Sequence, residues 1–137
     1  MSSDWIMLIP SKVFTKIKQD FSQTIKDTYN MTSTNFTTVG SNDTPAVFPF
    51  VYLQALPSNE MGMDFSRSSI NGGLFSFQVD VTDNQSQARA RKVMGEVIRI
   101  MKTMGFEVIQ MPVLEDTKDT HRMTARFRRI IGANDKF

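Results

Sequence analysis

The chain has 137 residues, about one domain by size, with 40% hydrophobic and 22% charged residues, as in an ordinary soluble globular protein. Its net charge of +2 is unevenly spread: residues 1–87 carry 5 basic and 8 acidic side chains, residues 88–137 carry 11 and 6, so the halves are −3 and +5. That distribution predicts a polarised surface rather than a basic nucleic-acid-binding domain. The absence of cysteine excludes disulfides, thiol nucleophiles and thiolate metal sites, and fits a reducing compartment.

Trp5-Ile6-Met7-Leu8-Ile9 is too short an apolar run for a signal segment or a membrane span. It reads either as an extra turn of helix or as an extended arm. An intracellular, soluble protein is expected, and the four Asn-X-Ser/Thr triplets, at Asn30, Asn35, Asn42 and Asn84, are read as accidents of an Asn/Thr-rich sequence.

Residues 11–30 predict one amphipathic helix with Ser11 as N-cap and Phe14, Ile17, Phe21 and Ile25 as its apolar stripe. A short strand is expected near Asn35–Val39, closed by Gly40, then a turn at Ser41–Pro45 and a strand over Phe48–Leu56. Pro49 places the start of that strand at an edge or at its first paired residue. Residues 57–72 predict a loop, long for a compact domain and so either functional or mobile, carrying Met61, Met63 and Phe65 among polar residues and ending in a Gly72-Gly73 turn.

Phe75, Phe77, Val79 and Val81 alternate with Ser76, Gln78 and Asp80, the period of a half-buried strand. Val93, Met94, Val97, Ile98, Met101 and Met104 then follow at helical spacing, after N-cap candidates at Thr82-Asp83-Asn84. Gly105 stands where a helix C-cap favours glycine, and the apolar run to Met111 begins a further strand. Strand, helix and strand form a crossover unit, which predicts parallel strands joined by a right-handed connection. Leu114–Asp119 reads as an acidic turn, and Thr120–Ile131 as a last strand with Met123, Ala125 and Phe127 on one face. The expected fold is α+β: a mixed sheet of about four to five strands with two helices packed on one face.

The residues offer little chemistry. His121 is the only histidine, has no nucleophile or second ligand at useful spacing, and reads as a strand-start residue. Glu115, Asp116 and Asp119 lack the glycine and alternating oxygen ligands of a calcium loop and read as a solvated turn. Gly72-Gly73 precedes a strand and cannot cradle phosphate at a helix start. No catalytic group, cofactor or metal is therefore expected, and the chain is not read as an enzyme.

Arg122, Arg126 and Arg128 share one face of the last strand, and Arg129 follows. They read as a solvated face paired with cross-strand carboxylates, as a protein contact surface, or as a nucleic-acid surface. Phe75 and Phe77 share a face with Val79 and Val81, which reads as core rather than as a base-stacking platform. Met61, Met63 and Phe65 in an exposed loop read as a partner surface or as side chains packed back on the core.

From Phe48 to Ile131 the order of motifs resembles the tail terminator and tail completion proteins of long-tailed bacteriophages. Phe48-Pro49-Phe50-Val51-Tyr52 supplies the early strand, and Phe75-Ser76-Phe77-Gln78-Val79-Asp80-Val81 runs into the Ala88–Met104 helix. Gly105-Phe106 opens the next strand, and Arg122-Met123-Thr124-Ala125-Arg126-Phe127-Arg128 closes the domain. The resemblance implies a structural virion protein assembled in the host cytoplasm. It would form a ring, commonly a hexamer of itself, that stops growth of the tail tube and meets the head connector protein. Its partners would be itself, the tail tube protein and the connector, with DNA only passing through the lumen and no membrane. A head-side completion protein and a tail tube subunit are the neighbouring readings, and a small nucleic-acid-binding α+β module is the competing class. Arg122, Arg126, Arg128, Met61, Met63 and Phe65 are the expected contact residues.

Overall fold

A computed structural model describes residues 5–38, 47–56, 59–63, 70–116 and 120–132, with the backbone alone for 5–6, 59–63 and 70–71. In chain order the elements are α1 (Trp5–Asp20), α2 (Gln23–Tyr29), a 3-10 turn (Ser33–Asn35), β1 (Phe36–Thr37) and β2 (Phe50–Ala55). They continue with β3 (Asn59–Met63), β4 (Ile70–Asp83), α3 (Gln87–Thr103), β5 (Glu107–Asp116) and β6 (His121–Gly132). The sheet runs β1-β2-β4-β6-β5, and β3 also pairs with β4. Register places β2 against Phe77–Thr82 and β3 against Ile70–Leu74, on the side of β4 away from β6. β2 and β3 are therefore two collinear pieces along one flank of β4. The fold is the expected α+β sheet, mixed because β1 runs parallel to β2 while the other pairs are antiparallel.

The strand–helix–strand order forms as its sequence predicts, but the N-cap lies beyond the expected Thr82-Asp83-Asn84, because Thr82 and Asp83 still pair in β4. Ser86 is the N-cap of α3, its hydroxyl accepting the Arg89 N–H at 3.1 Å. At the other end Gly105 takes φ +85°. Two bonds of 3.0 Å close the helix there, from the Gly105 N–H to the Lys102 carbonyl and from the Phe106 N–H to the Met101 carbonyl. Phe106 is buried beside Met101 and meets Phe77 edge to face at 5.6 Å. β4 and β5 are each antiparallel to β6, which lies between them, so they are parallel to one another but not adjacent.

Apolar side chains of one sheet face meet the helices in a single core. Val51 and Leu53 of β2, Phe75, Phe77, Val79 and Val81 of β4 and Met123, Ala125, Phe127 and Ile131 of β6 are buried with Val93, Met94, Val97, Ile100 and Met101 of α3. Ile9, Val13 and Ile17 of α1 and Phe21 just after it complete the core. Each such side chain contributes about 1.5–3 kcal/mol by leaving water.

Several expectations are corrected. The helix predicted over 11–30 begins at Trp5, passes through Pro10 and breaks after Asp20, and Ser22 rather than Ser11 acts as N-cap, here for α2. The break has a distant cause: Glu96 on α3 accepts the Ser22 N–H at 2.6 Å, while Arg99 donates to the Asp20 carbonyl at 3.0 Å. The buried stripe is centred on Val13, with Phe14 and Ile25 only half-buried. β1 is two residues long, and Val39, Gly40 and the Ser41–Pro45 turn lie outside the described residues.

The stretch 57–72 contains β3 and the start of β4, so Gly72 and Gly73 are paired strand residues rather than a turn. Both are buried, flanked on one side by Met61 and Glu60 and on the other by Gly132 and Ile131. Leu114, Glu115 and Asp116 belong to β5 rather than to an acidic turn, because each pairs with β6.

Candidate interaction surface

The helices cover one face of the sheet; register alone arranges the other into cross-strand rows. Tyr52, Asp80, Thr124 and Val113 form one row, and Gln54, Gln78, Arg126 and Gln110 the next. Thr82, Arg122 and Glu115 flank them at one end, and Ser76, Arg128 and Glu107 at the other. Residues of β4 and β6 reach this face because they alternate with Phe77, Val79, Ala125 and Phe127, which burial holds against the helices.

The three expected arginines all project from this face, exposed, and each meets a cross-strand partner. Arg126 donates from Nε to Gln78 Oε1 at 3.0 Å. Arg128 is ion-paired through Nε with Glu107 Oε1, and Arg122 stands 3.7 Å from Asp80 Oδ2. Asp80 also accepts the Thr124 hydroxyl at 2.6 Å and is itself buried despite facing outward. Arg122, Arg126 and Arg128 are thus matched in number by Asp80, Glu107 and Glu115 on the same face, which presents alternating rather than uniform charge. Exposed ion pairs of this kind contribute at most about 1 kcal/mol each to stability.

Arg129 does not belong to that row. It alternates with Phe127 and Ile131 on the core side, opposite Phe75, and donates from its guanidinium to the Met104 carbonyl at 2.9 Å. Met61 and Met63 lie on β3, their backbones paired with Gly72 and Ile70, away from the arginine rows. Phe65 lies outside the described residues.

β5 forms the far edge of the sheet and holds exposed apolar residues that the sequence did not single out. Its register with β6 slips between Val108 and Gln110 and again between Gln110 and Val113. Exposure nonetheless alternates residue by residue from Glu107 to Glu115. Ile109, Met111 and Val113 are exposed, Met111 by 71%. In the sequence they belong to an apolar run read only as a strand; Pro112 within the run is the signal that the strand is an edge. A second exposed apolar pair, Met7 (80%) and Leu8, lies on the first turn of α1.

His121 begins β6, as expected, with Nδ1 2.6 Å from Asp116 Oδ1. Gln87 donates to the other carboxylate oxygen at 2.6 Å. The His121 hydrogen bond, followed by that of Gln87, holds the Asp116 carboxyl below its usual range against the opposing effect of desolvation. No three His, Asp or Glu side chains among the described residues converge as metal ligands. Glu115 faces Arg122 instead of joining Asp116, and Asp119 lies outside the described residues. No helix among the described residues is long and apolar enough to cross a membrane.

The comparison with protein-family models finds no match, and the comparison with curated proteins finds none. What the chain displays is a sheet covered on one face, charged in alternating signs on the other and apolar along the β5 edge.

Proposed function

We propose that the chain is a structural subunit of a long-tailed bacteriophage particle. It forms a ring at the head-proximal end of the tail tube, stops tube polymerisation and joins the tail to the head connector. The carrying observation is the open sheet face running into the β5 edge: cross-strand rows bearing exposed arginines end on a strand that exposes Ile109, Met111 and Val113. Arginine-bearing surfaces with adjoining apolar side chains suit protein contacts, and a contact joining two different surfaces propagates until it closes as a ring. The resemblance over Phe48–Ile131 supplies the tail-terminator assignment. Head-side completion and tube-subunit roles share both features and are the second reading.

A nucleic-acid module draws less support. Phe75 and Phe77 are buried on the core side, and the arginine face carries as many carboxylates as guanidinium groups. RNA-binding sheets instead expose aromatic residues for stacking.

The test is to add purified chain to the polymerising tube protein of the same phage and to measure tube lengths by electron microscopy. The expected result is short tubes of uniform length with a ring at one end. Tubes of unrestricted length with no bound ring overturn the terminator role, and incorporation along the whole tube favours the subunit reading.

A further inference from the structure

Met7 and Leu8 on α1, with Lys12 beyond them, and Ile109, Met111 and Val113 on β5, with Glu115 beyond them, are complementary in both polarity and charge. Leu8 and Lys12 are four residues apart on a helix, hence on one face and about 6 Å apart along its axis. Val113 and Glu115 are two residues apart on a strand, hence on one side and about 6.7 Å apart. Among the described residues neither Lys12 nor Glu115 has an ion-pair partner, and both are exposed. Phe21, just past α1, meets Phe36 of β1 edge to face at 5.3 Å, which ties that end of the helix to the β1 edge; Met7 and Leu8 lie at the other end of the helix. β5 is the opposite edge.

We propose that the first turns of α1 of one copy dock along the β5 edge of the next, with Leu8 against Val113 and Lys12 paired with Glu115. This rests on the reading of the chain as a self-assembling subunit. The contact is head-to-tail, leaving each copy one unused α1 patch and one unused β5 patch until a ring closes. Direct pairing of two β5 strands is disfavoured. Centred on Met111, it sets Glu107 opposite Glu115 of the other copy, and the two bulges together with Pro112, which has no N–H, interrupt the ladder. The exposed methionines suit a surface that adapts its shape to the partner.

The cysteine-free chain gives a direct test. Leu8→Cys and Val113→Cys are made singly, one carrying a size tag, and together in one chain. All are oxidised both free, over a range of concentrations, and bound to tail tubes, while the mass of the unmodified chain is followed by sedimentation. Expected are a mixed disulfide from the two single variants combined, a ladder from the double variant, and no dimer from either variant alone. Lys12→Glu should weaken association at least about tenfold, and adding Glu115→Lys should restore it to within about threefold. Association without the mixed disulfide overturns this interface and leaves the assembly reading standing. A dimer of Val113→Cys alone replaces it with an isologous edge contact. A chain that stays monomeric both in solution and on tubes overturns the assembly reading together with the interface.

Discussion

Arg129 and Gly105 are fitted to one another: a Cβ on Gly105 would lie 3.1 Å from Arg129 Nε, while the same guanidinium donates to the carbonyl of Met104, the C-cap of α3. The last strand thereby holds the helix end at the one residue whose φ of +85° needs glycine. A cation at a helix C-terminus also complements the helix dipole.

Gly105→Ala should therefore destabilise the fold by about 1–2 kcal/mol, from the left-handed backbone and the crowding of Arg129 together. Gly95 is exposed within α3, and a Cβ there would meet nothing within 4 Å, so Gly95→Ala should stabilise by about 0.5–1 kcal/mol. Urea unfolding of the two variants should shift the midpoint in opposite directions; shifts of the same sign contradict this account of Gly105.

The junction of α1 and α2 should weaken in acid through Glu96. Hydrogen bonding from Arg99 is the largest influence on its carboxyl; burial opposes it, the Ser22 N–H adds to it, and the result lies below the ordinary 4.5. Because the folded value is depressed, the contribution is full above the unfolded pKa and is lost as pH falls through the folded one. Glu96→Gln should cost about 1–3 kcal/mol at neutral pH, and the gap from the unaltered chain should close as pH drops below about 4.5. Paired denaturation curves from pH 7 to pH 3 measure it; a gap that stays constant shows that the Glu96 charge contributes nothing.

Asp83 should be among the least replaceable polar residues. It is fully buried, accepts the Gln85 and Ser86 N–H groups at 3.1 and 3.0 Å through Oδ2, and stands 3.2 Å from Arg89 through Oδ1. Arg89 in turn lies over the Tyr29 ring and donates to the Phe48 carbonyl at 3.3 Å, joining α2, α3 and the chain before β2. Asp83→Ala leaves a mostly buried cation and two N–H groups without their carboxylate, at a cost of about 3–5 kcal/mol. Asp83→Ala with Arg89→Met should be less destabilised than the sum of the two single variants, as a double-mutant cycle by thermal melting would read.

Charge reversal of Arg126 separates folding from assembly. Arg126 is exposed and its resolved partner is the neutral Gln78, so Arg126→Glu should change stability by no more than about 0.5 kcal/mol. An arginine at the centre of a contact costs more than about 2 kcal/mol in binding when lost, so tube-length control should fail in this variant. Normal length control by a normally folded Arg126→Glu chain removes the arginine row from the interface.

What the sequence determined by itself is local in origin. The alternation of Phe75 to Val81, the helical spacing of Val93 to Met104 and the glycine at 105 are periodicities and cap chemistry that act within a few residues. They specified β4, α3, the stop after Met104 and the parallel relation of β4 to β5, and the alternation along β6 separated Ala125 and Phe127 from the arginines. Strand order, edges and partners were decided only in three dimensions, because they depend on residues far apart in the chain. Glu96, 74 positions from Ser22, breaks what reads locally as one helix. The insertion of β6 between β4 and β5 gives Arg128 its partner Glu107, brings Arg129 to the end of α3, and leaves β5 at the edge. There Ile109 and Met111 fall on the exposed side of a strand that has β6 along one flank only.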